Sequence, residues 1–214
     1  MSIHKSKRLN HKILSPKTQN TTIKILTPRE SSLYRKIIHM ANTENKVIKL
    51  NLGCGTDHRE GYINVDSSEV VKPDKICNLQ QLPWPFPDNY ADEILMRDSL
   101  EHLPDAHSNI LEVHRILKPG GIFHCSVPYA KCDGAFQAPE HKSFFTEKSF
   151  DYFCGISGYE AFGPPKFEMV SVRLTTYGAT LKTRLRNLIP FRMFLRHFLW
   201  NMYDGVEVIM KAKK

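Results

Sequence analysis

KLNLGCGTDHREGYINVD, residues 49–66, sets two short apolar runs about a dozen residues apart. The first stops at Gly53 and Gly55, the second at Asp66. Alternating apolar and polar positions before each stop mark two strands. Glycines at a strand end let backbone N–H groups approach a ligand and adopt dihedrals that other residues avoid. A carboxylate ending the neighbouring strand accepts ribose hydroxyls, and in an open parallel sheet ligands sit beyond the carboxyl ends of the strands. The stretch therefore reads as the nucleoside end of such a sheet. A dinucleotide is disfavoured, because its fingerprint needs a third glycine, a helix N-terminus for the pyrophosphate and an acid about 20 residues on. Here Asp66 follows Gly55 by only eleven residues, and TDHREGYIN leaves no room for a normal helix. A phosphate-free, positively charged nucleoside fits better.

Working outward, strands alternate with helices or loops. VIKLNLG, GYINVD, DKICNL, ADEILMRD and IFHCSVPYA read as five strands, and KFEMVSVRLTT and GVEVIMKAK as two more. Between the fourth and fifth, DAHSNILEVHRILKPGG carries a helical stripe of Ile110, Leu111, Val113, His114 and Leu117, stopped by Pro119 and Gly120. TEKSFDYFCGISG reads as a further helix capped by Thr146. Before the first strand, TPRE opens a predicted helix over residues 27–42, with Thr27 as cap, Pro28 in the first turn and Glu30 closing a capping box. The expected architecture is α/β: a Rossmann-like three-layer sandwich on a mostly parallel seven-stranded sheet with an antiparallel edge strand. Residues 1–26 read as a flexible basic arm and 27–214 as one domain.

The chain has 214 residues, 41% hydrophobic, and no apolar stretch long enough to span a bilayer. A basic N-terminus with no apolar run after it argues against a secretory signal, and a cytoplasmic protein is expected. Five scattered cysteines suggest neither a disulfide framework nor a zinc ligand pattern, and no metal is expected. The net charge of +8 is uneven: residues 1–47 carry +8, residues 48–170 carry −7, and residues 171–214 carry +7.

LNLGCGTDHREGYINVD, CNLQQLPWPFPDNYADEILMRDSLEHL, HRILKPGG and APEHKSFFTEKSF, in that order, resemble the class I S-adenosylmethionine-dependent methyltransferases. More narrowly they are similar to the type 11 branch with a shortened first crossover, many of whose members serve polysaccharide or other secondary biosynthesis. The resemblance covers roughly residues 47–155 and implies S-adenosyl-L-methionine as cofactor. It implies that Gly53 and Gly55 line the methionine part of that cofactor, with Cys54 a small neutral spacer between them. By the same carry-over Asp66 holds the ribose, Asn78 and Leu79 stand where adenine is read, and Asp98 faces the donor methyl and the acceptor. Two departures stand out: Asn51 replaces a frequent acid in the glycine strand, and Asn78 stands where an acid is usual.

Methyl transfer from a sulfonium needs an aligned nucleophile and, for a hydroxyl, a group to take its proton. His141, Asp98 and His102 are the candidates, with Glu101 beside them. His102 also suits plain packing under the cofactor, and Phe144 and Phe145 read as core anchors. The expected acceptor is a hydroxyl of a sugar or small metabolite. The basic ends admit RNA as an alternative substrate, and a non-catalytic binding protein is a third reading. Residues 179–203 form a basic insertion with apolar stripes: Leu181, Leu185, Leu188 and Ile189, then Phe191, Phe194, Leu195, Phe198, Leu199 and Met202. Packing of these stripes on the sheet is the favoured expectation, with peripheral membrane contact through 181–202 as the rival. The oligomeric state is not legible.

Overall fold

A computed structural model describes residues 47–159 and 163–214. The expected basic arm (1–26) and the helix expected over 27–42 lie outside the described residues. The sheet is built from β1 (Lys49–Leu52), β2 (Ile63–Asp66), β3 (Lys75–Ile76), β4 (Ala91–Arg97), β5 (Leu117–Pro128), β6 (Phe167–Thr175) and β7 (Gly205–Ala212). Its spatial order is β3-β2-β1-β4-β5-β7-β6. Strands β3 through β5 run parallel, while β7 pairs antiparallel with both β5 and β6. The antiparallel strand thus sits second from that edge. Chain order reverses between β1 and β4, the place where open α/β sheets bind ligands.

Register explains how the two faces differ. Leu50, Ile94, Phe123 and Met210 lie side by side, as do Leu52, Met96, Cys125 and Val208, and all eight are buried. Helix α1 (Ala106–Ile116) adds Ile110, Val113 and Ile116 to the same cluster, and the single turn α2 (Asp151–Cys154) adds Phe153. Burying an aliphatic or phenyl side chain of this kind stabilises by about 1.5–3 kcal/mol. On the opposite side, rows of charged and polar residues cross the strands. Lys49 pairs with Glu93 at 2.7 Å, and Glu207 takes both His124 at 2.7 Å and Arg173 at 2.9 Å.

The shortened first crossover is observed. Residues 53–62 connect two parallel strands without a helix, a link that usually takes a dozen residues or more. Buried Asn51 replaces the missing scaffold: its amide donates to the Asp57 carbonyl at 2.8 Å and to Asn64 Oδ1 at 3.0 Å. Asn64 Oδ1 also accepts the Arg59 N–H, and Asp74 accepts the Asn64 N–H, both at 2.8 Å. A carboxylate at position 51 has no donor for these bonds, which accounts for the asparagine.

Between β3 and β4 the chain also lacks a helix. Buried Trp84 anchors that segment, donating from Nε1 to the Leu79 carbonyl at 3.0 Å and from its backbone to Glu112 Oε1 at 2.7 Å. Helix α1 starts where Asp105 accepts the His107 and Ser108 N–H groups. It stops at Ile116, before the extended residues ahead of Pro119 and Gly120.

Three expectations need correction. The third strand shrinks to two residues, Lys75 and Ile76, and the Cys77 N–H bond to the Asp66 carbonyl is the last of its ladder. The helix expected from Thr146 is one turn: Thr146 closes its own turn with Ser149 and Lys148, and Gly155 in the left-handed region ends the helix. The insertion does not pack as a whole on the sheet. It forms α3 (Leu181–Asn187) and α4 (Arg192–Leu195), with Leu181, Leu188, Phe191, Phe194 and Phe198 all more than 60% exposed. Ile189, Leu195 and Met202 do reach the core cluster. Pro190 and left-handed Phe191 break the segment in two, so one stripe cannot lie along one surface.

Candidate cofactor and acceptor site

The site grows from the carboxyl ends of β1, β2 and β4. Gly53 N–H and Cys54 N–H both donate to the Val65 carbonyl, at 2.8 and 3.0 Å, folding the loop back on β2. Gly53 has φ +70°, and a Cβ there would lie 2.6 Å from Ser99 Cβ, so the loop can approach β4 this closely only as glycine. Gly55, at φ +47°, has nothing within 4 Å of the Cβ it lacks. That space opens beside Asp66, whose Oδ2 accepts the Gly55 N–H at 2.8 Å and whose Oδ1 accepts the Ser68 N–H at 2.9 Å. Each carboxylate oxygen keeps a second lone pair for another donor. Cys54 is buried, and burial followed by the charge of Asp66 pushes its thiol above the usual value, so it is no nucleophile at neutral pH.

Leu79 is buried with its side chain toward Gly53, whereas Asn78 is exposed and its Oδ1 accepts the Gln80 N–H at 3.0 Å. Asp98 ends β4 in the left-handed region, φ +47°, with its N–H on the Ser126 carbonyl at 2.8 Å. It opens on a cavity of about 590 Å³ walled by β4, the loop after β5 and the insertion. Protein atoms ringing the Asp98 carboxyl hold it above the usual carboxylate range.

The structure brings His102 and His141 to this cavity with Asp98. Their rings meet edge to face, centroids 4.7 Å apart. Burial, and then the neighbouring His141, lowers the His102 pKa, which favours the neutral ring. His141 Nδ1 lies 2.7 Å from the Ala135 carbonyl, so that nitrogen carries the proton and Nε2 presents its lone pair. Glu101 is 1% exposed, and burial pushes its carboxyl up to about 7. Its backbone carbonyl accepts the Lys142 and Ser143 N–H groups at 2.7 and 3.3 Å, tying the His141 loop to the turn after β4.

Tyr177, Arg186 and Asp204 complete the walls, and sequence reasoning missed them. They fall just after β6, within the insertion and just before β7, and only the pairing of β7 with β6 gathers them. Asp204 accepts the Tyr177 N–H and an Arg186 Nη1–H, each at 2.8 Å, which folds the insertion over the cavity. Phe145 is buried as expected. Phe144 instead stacks on exposed Phe136, centroids 4.6 Å apart.

Residues 53–125 match the family model described as a methyltransferase domain. Over this third of its length the chain resembles the class I methyltransferases. Over 71 residues it is 38% identical to a ubiquinone/menaquinone biosynthesis C-methyltransferase of Burkholderia mallei, covering 31% of this chain and 28% of that protein. Over 75 residues it is 32% identical to a demethylmenaquinone methyltransferase of Geobacillus stearothermophilus, covering 33% and 32%. The chain thus spans about a third of the length of these curated relatives. Among solved structures, a SAM-dependent methyltransferase of Archaeoglobus fulgidus superposes with TM-score 0.56 at 16% identity, over 86% of this chain and 94% of that one. A Haloferax volcanii methyltransferase in complex with the activator Trm112 gives 0.53 at 16%, over 87% and 94%. These likenesses establish the fold of the methyltransferase domain. The family match and neighbours support S-adenosylmethionine as its cofactor, and the open space at Gly55 beside the Asp66 carboxylate suits a nucleoside. Among the described residues no helix is long and apolar enough to cross a membrane.

Proposed function

We propose that this domain transfers a methyl group from S-adenosylmethionine to a hydroxyl of a sugar or another small polyhydroxylated acceptor. When bound, the cofactor supplies an electrophilic methyl on a sulfonium. Gly53 and Gly55 give it backbone approach, Cys54 fills the turn without charge, and Asn51 holds the loop in shape from below. Asp66 takes the ribose hydroxyls on its free lone pairs, while Leu79 and Asn78 flank the adenine. Asp98, His102 and His141 ring the acceptor cavity, and each can take the proton of a hydroxyl held there.

The single observation that carries the acceptor class is the chemistry of the cavity wall. Carboxylates, imidazoles, the Tyr177 phenol and the Arg186 guanidinium surround it. Such a wall offers donors and acceptors to hydroxyls, which a flat apolar ring would not use. The relatives named for quinone methylation set the competing acceptor class to screen. The test is calorimetric titration of S-adenosylmethionine and its demethylated product, followed by methyl transfer to panels of sugars and quinols. Micromolar cofactor binding, weakened at least tenfold in Asp66→Ala, with transfer to sugars, is the expected result. No cofactor binding by the wild type, or transfer to quinols alone, overturns the proposal.

A second observation favours acceptors presented at a membrane surface. The exposed Leu188, Phe191, Phe194 and Phe198 are interleaved with Arg184 and Arg192, the composition of an interfacial segment, while Arg196 is held by Glu147. Lys182, Thr183 and Arg186 of the same insertion line the cavity, so a lipid-linked saccharide would reach it from that side. Flotation with anionic vesicles, lost in Phe191→Ser/Phe194→Ser, tests this reading, and equal flotation of the variant refutes it.

A further inference from the structure

We propose that Glu101, His102 and His141 form a binding site for one first-row divalent transition-metal ion at the floor of the acceptor cavity. The inference rests on the acceptor reading above and names what helps to hold the acceptor there. One ligand atom from each residue lies within 4.8 Å of the other two. A coordination shell with metal–ligand distances of about 2.0–2.2 Å places neighbouring donors roughly 3–3.5 Å apart, so the three must draw in by about 1 Å.

An independent observation points to a ligand. Glu101 is 1% exposed, and its Oε2 has no hydrogen-bond partner. A buried carboxylate oxygen without a donor is costly, and a cation bound there would satisfy it. The His141 side is prepared in the same sense. Metal-bound imidazoles commonly give their other ring N–H to a backbone carbonyl, and His141 Nδ1 already does so with Ala135 at 2.7 Å. The Lys142 and Ser143 N–H groups on the Glu101 carbonyl clamp the two ligand-bearing segments together.

Two imidazoles and one carboxylate on one wall suit zinc, manganese, cobalt or iron(II), and leave coordination positions open to the cavity. A hydroxyl of the acceptor would occupy one of these. With the imidazole lone pairs engaged as ligands, taking the proton falls to Asp98 at the cavity rim.

Cobalt(II) titration of the metal-free full chain tests this directly. The expected result is one ion per chain, with visible d–d bands of nitrogen and oxygen ligation and no thiolate charge-transfer band from the cysteines. Glu101→Gln and His141→Gln should each weaken binding at least tenfold, while His114→Gln, outside the cavity, binds as the wild type does. Titrating the same samples with the demethylated cofactor separates the two readings. Variants that still bind it are folded, so their loss of cobalt is loss of a ligand. A wild type that binds the cofactor but no cobalt, that shows thiolate ligation, or that the two variants match overturns the metal site alone.

Discussion

Replacing Gly53 by alanine tests whether the glycine loop is shaped by its contact with β4. At φ +70° an L-residue is strained by about 1–2 kcal/mol. The new Cβ would stand 2.6 Å from Ser99 Cβ, where carbon atoms pack well only at about 3.5–4.0 Å. Ser99 must then move by about 1 Å. Its Oγ–H bond to the Leu52 carbonyl, 3.2 Å long, weakens with that shift, adding about 0.5–1.5 kcal/mol. The sum is about 1.5–3.5 kcal/mol, a fall in Tm of roughly 3–14 °C for a domain of this size. Asp98 precedes Ser99, so cofactor affinity should fall with stability. Ser99→Gly removes the atom that clashes and by itself costs about 1 kcal/mol for the lost hydroxyl bond. The double variant should therefore be no less stable than Gly53→Ala alone, a coupling of about 1 kcal/mol or more in favour of the pair. Urea denaturation of the four proteins measures it. Additive losses would show that the contact with Ser99 does not set the loop.

Glu112 accepts the Trp84 N–H and two Arg115 N–H groups, so Glu112→Ala should cost about 2–4 kcal/mol by urea denaturation, and Glu112→Gln less. The Arg115 bond, ahead of the opposing burial, holds the Glu112 carboxyl below its usual value. Its contribution is therefore present above the unfolded pKa of about 4.3 and is lost as pH falls below that, and Glu112→Gln should flatten the acid limb of Tm against pH. Burial, and then the bond to Glu93, pushes the Tyr62 phenol up to about 12, and burial does the same for Tyr177. Because a raised phenol pKa favours the folded state below about pH 10 and loses that advantage towards 12, ultraviolet titration should show Tyr62 and Tyr177 ionising late, and Tyr62→Phe should remove one late phase. Arg186→Ala breaks the largely buried pair with Asp204 at a cost of about 1–3 kcal/mol, so residues 181–200 should be cleaved faster by protease while cofactor affinity stays within about twofold.

The strands were legible where sequence period and burial agree. β1, β2 and β4 read directly because large apolar residues such as Leu50 and Leu52, or Ile94 and Met96, recur at every second position in the core, and Asp66 stood out as an acid ending such a run. The first crossover was legible too, since ten residues cannot hold a helix and the return of a parallel strand. Asn51 looked like a missing acid, and only the bonds to Asp57 and Asn64 show why an amide is needed. The insertion misled because its stripes have helical spacing, whereas Pro190 and Phe191 turn the two halves apart. Glu101 and His102 adjoin in sequence, but His141 lies 39 residues further on, so no spacing announces the cluster. Tyr177, Arg186 and Asp204 were invisible for the same reason: long-range pairing, not local pattern, makes them neighbours.

The position of β7 has a consequence for how the molecule comes together. It is made after both its neighbours, yet it lies between them, paired from Ile122↔Lys211 to Pro128↔Gly205 on one side and from Phe167↔Ala212 to Thr175↔Gly205 on the other. Until it arrives, β5 keeps an open edge of unpaired backbone groups and β6 has no partner in the sheet. Such an edge invites pairing with another chain. The half of the sheet that carries the glycine loop can assemble on the nascent chain, but the half that closes the acceptor cavity must wait for β7. A chain stalled before residue 205 would be a sticky intermediate with a finished nucleoside end and no pocket.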